Sequence, residues 1–286
     1  MNKTLIGKNG YLFLTNDSAR ELEVHCNNLN LVDENNLSNY NFDNFLLIVI
    51  PNRCLIYKDF LPDNYVVNYR PAFEIYKNKL QEKIIDTFEF LKYENDVYYK
   101  TDTHINFKGN YIIYNNFIQK INEKYNLNIT PAKIDIKQKI CELIYLGYGV
   151  GDLTWPENLG DQYIHDKNDT FYYSDHIIDF YPVYLIDNNK PIRFLNHQLD
   201  DKTNELANQN TSVRWNIISN YIIYKHNPDK KNKVIIFYDS FLLSALPLYL
   251  DLFNEVYMIK YKYNNNFINL INPDYVFEFR VERFLM

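Results

Sequence analysis

Glycine is scarce in this chain, at 7 of 286 residues. The three that cluster, Gly147, Gly149 and Gly151, lack the spacing of a nucleotide fingerprint and no strand pattern feeds them, so no phosphate-cradling loop is expected. Cysteine is scarce as well. Cys26, Cys54 and Cys141 are an odd number without metal-ligand spacing, which points to a reducing compartment and to thiols used as small core side chains. Basic charge is in deficit, the net charge being -6. The one basic cluster, Lys230-Lys231-Asn232-Lys233, reads as a solvated turn before a strand, so no nucleic-acid partner is expected. Long apolar runs are missing too: the longest, Phe45–Ile50, is strand-sized, and no integral membrane segment is expected. Asn-Lys-Thr-Leu-Ile-Gly after Met1 carries no apolar export stretch. The expected compartment is therefore the cytoplasm, or the periplasm if a leader has been removed.

Aromatic residues are abundant by contrast, with 27 tyrosines and 19 phenylalanines. Together with frequent Asn and Lys they read as the composition of an AT-rich coding sequence, and core packing is the expected use of each ring before sugar stacking. A chain of this length can bury a core as one domain, or as one domain with an insertion.

The apolar pattern predicts alternating strands and helices. Phe45–Ile50 is a continuous apolar strand ending at Pro51, as for a parallel strand buried on both faces. A helix is expected from Pro71 to about Lys83, with Pro in its first turn. Ile84–Phe88 and Val97–Tyr99 read as short strands. Ile113, Phe117 and Ile121 recur at helical spacing within Phe107–Tyr125, with Asn106 as N-cap. Val234–Tyr238, Val256–Lys260 and Tyr275–Phe279 read as further strands, with a helical stripe of Leu243, Leu246, Leu250 and Phe253 between the first two. Residues 126–210 are less regular and read as an insertion or lid, with a hairpin of Phe180–Ile186 and Ile192–Asn196 around Asn188-Asn189. Residues 1–286 are thus expected to form a single α/β domain on a mostly parallel sheet, whose sites lie beyond the carboxyl ends of the strands.

Ser240 stands at such an end. An Asp-Ser pair there more often caps a helix, and Pro247 predicts that the regular helix begins only near Ser244 to Pro247, leaving Ser240 on a tight turn ahead of it. Far upstream, Asp102 and His104 lie two residues apart, so in an extended segment both side chains point the same way. Asp102 is then placed to orient the ring through one nitrogen while the other faces a nucleophile. His165 and His176, with Asp161, Asp166 and Asp175 nearby, show no HExxH or Cys-pair spacing, and no metal is expected.

Several segments together resemble the SGNH-hydrolase-like O-acetyltransferases of the alginate acetylation type (AlgX/AlgJ-like). Gly7-Lys-Asn-Gly10-Tyr11-Leu12-Phe13 is similar to the family's opening element. Ile48-Val-Ile-Pro51-Asn-Arg53 and Tyr57-Lys-Asp-Phe-Leu61-Pro62 resemble its next two. Asp102-Thr-His104-Ile105 with Gly109, Gly151-Asp152-Leu153, Tyr238-Asp239-Ser240-Phe241, Pro273-Asp274-Tyr275-Val276 and Glu282-Arg283-Phe284-Leu285 follow in family order. Tyr238 departs from the family's glycine and Ile105 from its tryptophan.

The resemblance implies an SGNH-like α/β/α sandwich in which Ser240 is the nucleophile, His104 the general base and acid, and Asp102 its orienter. It implies a carbohydrate O-acetyltransferase or esterase in surface-polysaccharide or glycan modification, with no cofactor, and with acetyl-CoA or an acetylated carrier as acyl donor. The Ser240 backbone N–H is the natural first oxyanion donor, with Asn208, Asn210, Arg214 and Arg280 as candidates for the second. The two departures motivate one alternative, an inactive SGNH-like glycan-binding or scaffold protein.

Overall fold

The computed structural model describes residues 2–142, 144–145, 151–164, 168–174, 183–184, 186–187, 190–191 and 222–285. The chain opens with a hairpin of β1 (Thr4–Ile6) and β2 (Leu12–Leu14), then α1 (Glu21–Asn27), β3 (Phe45–Ile50), α2 (Pro71–Leu80), β4 (Ile84–Asp86) and the long α3 (Phe107–Tyr125). β5 (Lys137–Glu142) pairs antiparallel with β6 (Asn168–Tyr173). β7 (Ile222–His226), β8 (Lys233–Tyr238), α4 (Leu246–Leu250), β9 (Glu255–Ile259), α5 (Asn265–Ile271) and β10 (Tyr275–Val281) complete the main elements.

Six strands form the central sheet in the order β7-β9-β8-β10-β3-β4. All neighbours are parallel except the edge strand β7, which runs antiparallel to β9. Side chains alternate across the strands and each face takes its own helices. On one face Leu46, Ile48, Ile236 and Phe277 meet Ile113, Phe117 and Ile121 of α3. On the other, Leu47, Val49, Ile235 and Phe237 meet Phe73 and Tyr76 of α2 and Phe267 and Ile271 of α5. Phe117 is pinned edge-on by Phe277 and Phe279, with ring centroids 5.0 and 5.2 Å away. Among the described residues no helix is long and apolar enough to cross a membrane.

Several elements differ from the pattern read in the sequence. α2 stops at Leu80 because Gln81 turns to φ 53° and a short 3-10 turn leads into β4. Val97–Tyr99 forms no strand and contributes one isolated bridge, Tyr98 to Ile105. The stripe from Leu243 to Phe253 is not one helix: Ser240–Ala245 is a 3-10 turn and α4 follows with Pro247 in its first turn, since proline lacks the N–H an earlier helical start would need.

β7 and the β5–β6 pair are additions to the expected strands. Of the expected hairpin, Ile186–Asp187 pairs with Lys190–Pro191, while residues 180–182 and 192–196 lie outside the described residues. Within the described part of the middle segment, β6 joins the main core: its Phe171 is fully buried, the ring stacked 6.3 Å from that of Tyr99.

Candidate active site

β8 delivers Ser240 to the carboxyl edge of the sheet, between β9 and β10, on the first residue of the 3-10 turn. Asp239 locks that turn. Its carboxylate accepts the Phe241 N–H at 2.9 Å and, across the sheet, the Val281 N–H at 2.7 Å. The upstream segment arrives through α3. Asn106 caps that helix by accepting the Gly109 N–H at 3.0 Å, which fixes the chain just after His104. One turn on, the buried Asn110 amide donates to the Phe241 carbonyl at 2.8 Å and to the Ser244 hydroxyl at 2.7 Å. A single helix thus holds the imidazole segment at its start and the serine turn one turn later.

The result is a chain of contacts. His104 Nε2 lies 2.9 Å from Ser240 Oγ. Its Nδ1 lies 2.6 Å from Asp102 Oδ1, which also accepts the His104 backbone N–H at 2.8 Å. An ionised carboxylate only accepts, so the proton of the neutral ring sits on Nδ1 and Nε2 presents a lone pair to the serine hydroxyl. The His104 ring is tilted against Phe241, 4.8 Å between centroids; this contact buttresses the imidazole, while Ile105 is buried in the core under α3.

The loop carrying Asp102 is held from three sides. Arg53, buried just beyond the carboxyl end of β3, donates to the carbonyls of Lys100 at 2.7 Å and Asp102 at 3.2 Å. Asp169 of β6 accepts the Thr101 N–H at 2.6 Å and its hydroxyl at 3.0 Å. The turn at 151–154 supplies Asp152, whose N–H donates to Asp102 Oδ2 at 2.9 Å. Gly151 has to be glycine there, because a Cβ would stand 2.4 Å from the Thr101 carbonyl oxygen. The opening hairpin closes over this turn: Leu12 N–H donates to Lys100 O at 3.1 Å, Thr4 Oγ1 donates to Leu153 O at 2.6 Å, and Leu12 packs with Leu153.

The charges are arranged around the ring. Burial opposes the imidazolium, but the Asp102 and Asp152 carboxylates outweigh it and hold His104 above the ordinary histidine value. Burial would raise the Asp102 carboxyl, yet His104 and the N–H donors keep it below its ordinary value. Burial and the neighbouring Asp102 charge push Asp152 up to about 6. Ligand atoms of Asp102, His104 and Asp152 all lie within 4.8 Å of one another. Hydrogen bonds engage these atoms: His104 Nδ1 with Asp102 Oδ1, His104 Nε2 with Ser240 Oγ, and Asp152 Oδ2 with the Thr103 hydroxyl.

Ser240, His104 and Asp102 are therefore brought together. Asn208, Asn210 and Arg214 lie outside the described residues, as do His165, Asp166, Asp175 and His176. Arg280 is spent elsewhere: its guanidinium donates to Glu278 and, at 2.8 Å, to the Tyr261 carbonyl, on the sheet face opposite α3. Sequence reading did not single out Asn110, Asp169 or the contacts of Asp152. For Asp152 a signal existed in the Gly151-Asp152 pair, since a glycine before an acid suits a close backbone approach.

No family model matches the chain and no curated protein matches it. Solved structures do. PatB1 of Bacillus cereus with a sulfonyl adduct superposes with a TM-score of 0.57 at 16% identity, covering 100% of this chain and 97% of that one. A DHHW family protein from Eubacterium siraeum gives 0.58 at 18% identity, covering 100% and 92%. The O-acetyltransferase domain of Pseudomonas putida AlgJ gives 0.50 at 15% identity, again covering 100% and 92%. In fold, this chain, a mixed α/β structure on a mostly parallel central sheet, is thus similar over its whole length to the O-acetyltransferase domain of AlgJ.

Proposed function

We propose that this protein is an SGNH-type serine O-acyltransferase or carbohydrate esterase that works through an acyl-Ser240 intermediate on a glycan. The observation that carries the reading is the contact chain Ser240 Oγ–His104 Nε2–Asp102, at 2.9 and 2.6 Å. The fold shared with the AlgJ O-acetyltransferase domain supports it. Ser240 Oγ attacks the acyl carbonyl while His104 Nε2 takes its proton, and Asp102 stabilises the imidazolium. The carbon–oxygen bond to Ser240 forms, and collapse of the tetrahedral adduct breaks the bond to the leaving group, which receives the proton from His104. An acceptor hydroxyl then gives its proton to His104 and attacks the acyl carbon; collapse breaks the acyl–Ser240 bond, and His104 returns the proton to Ser240 Oγ. A sugar hydroxyl makes the second half transfer; water makes it hydrolysis.

The Ser240 N–H, at the start of the turn, is the natural first oxyanion donor. Acetyl-CoA or an acetylated carrier is the proposed donor, a surface polysaccharide or related glycan the acceptor, and the cytoplasm the proposed compartment. Labelling by a fluorophosphonate and turnover of a chromogenic acetyl ester test the reading. Wild type is expected to show both and Ser240→Ala neither. Silence of the wild type in both assays would favour the inactive glycan-binding alternative, which the Tyr238 and Ile105 departures motivate.

A further inference from the structure

We propose that Asp152 is a fourth member of this site, a positioning carboxylate that holds the His104 segment and shares with Asp102 the stabilisation of the imidazolium. The inference rests on the acyl-serine reading above. Asp102 Oδ1 takes both N–H groups of His104, and Asp102 Oδ2 is held by the Asp152 backbone N–H. The Asp152 carboxylate takes both donors of the intervening residue: Thr103 N–H at 2.7 Å and Thr103 Oγ1 at 2.6 Å. It thereby fixes the peptide between acid and imidazole.

Asp152 Oδ2 then stands 3.6 Å from His104 Nδ1. That is too long for a hydrogen bond, so its action on the ring is by charge. The side chains are little exposed, 17% for Asp152 and 16% for His104, and water screens the pair weakly. Among the described residues, the charged groups acting on the ring include Asp102, Asp152 and, opposing them, Arg283; Arg53 faces the Asp102 carbonyl. Asp102 sets the tautomer. Asp152 adds a second negative charge that favours the imidazolium once Ser240 has given up its proton.

The two-carboxylate arrangement predicts a measurable shift. Neutralising Asp152 without removing its bulk should lower the His104 titration midpoint by about one pH unit, the lower range for an opposite charge at this separation. The experiment follows the His104 C2 proton by NMR, assigned with His104→Gln, in the full chain as wild type, Asp152→Asn and Asp152→Glu. Asp152→Asn should move the midpoint down, and the acid limb of ester turnover should move with it; Asp152→Glu should return both towards wild type. A midpoint for Asp152→Asn within 0.2 unit of wild type overturns the proposal, as does an equal drop in both variants, which would mark a purely structural role. Asp152→Ser carries the same test if Asp152→Asn does not fold. Because the titration needs no turnover, an inert wild type would refute the acyl-serine reading while leaving this result to be read separately.

Discussion

Removing the Asp239 carboxylate should cost both stability and reactivity. In Asp239→Ala the N–H groups of Phe241 and Val281 lose their acceptor, and these residues are buried, 1% and 0% exposed. Each orphaned N–H costs about 1–3 kcal/mol, so the variant should lose about 4 kcal/mol in urea unfolding followed by circular dichroism. Asp239→Asn keeps one acceptor oxygen but turns an amide NH2 towards the other N–H, and about half that loss is expected. Freed from β10, the serine turn should also drift from the 2.9 Å contact with His104. At 15 °C, where the folded form persists, fluorophosphonate labelling should slow about tenfold or more, equivalent to 1.4 kcal/mol of lost transition-state stabilisation. An Asp239→Ala variant within about 1 kcal/mol of wild type would refute the reasoning, because two buried donors would then be unpaired at no cost.

Two further outcomes follow from the same geometry. The labelling rate should rise with pH along a single limb whose midpoint lies above the ordinary histidine value, since His104 must be neutral to take the Ser240 proton and its folded value is raised. The stability His104 contributes runs the other way, present at low pH and lost as pH rises through the folded midpoint; a labelling midpoint below the ordinary value would contradict the assignment of the two carboxylates. Gly151→Ala should lower the thermal midpoint and slow labelling together, because its Cβ would enter the Thr101 backbone at 2.4 Å and displace the turn that orients Asp102, at about 1–3 kcal/mol. Unchanged labelling in that variant would show that the turn does not govern the site.

The central strands were legible because burial on both faces makes a run such as Phe45–Ile50 apolar throughout, and α3 was legible because one buried stripe coincides with a side-chain cap at Asn106. β7 was not, because an edge strand of Ile222-Ile-Tyr-Lys-His226 takes its antiparallel direction from β9 and not from its own pattern. The Asp102–His104 pair could be read from spacing, and Ser240 from its place after a strand. What spacing cannot carry is the rest of the support: Asp169, Arg53 and Asn110 act through bonds between residues as far apart as Asn110 and Ser244, and local pattern holds no trace of such partners. Resemblance placed Gly151-Asp152 among the family elements but gave it no task.

The hairpin at the start of the chain bears on how the protein can be handled. Its backbone grips Lys100 and its threonine grips Leu153, so strands that touch neither acid nor imidazole act as a clasp on the loop that carries both. An affinity tag fused tightly to the amino end, or a proteolytic nick between Gly7 and Gly10, would then register as lost chemistry far along the chain. Fusion partners therefore belong behind a long spacer on that side, whereas the Lys230–Lys233 turn, remote from the clasp, is the better place to attach a reporter.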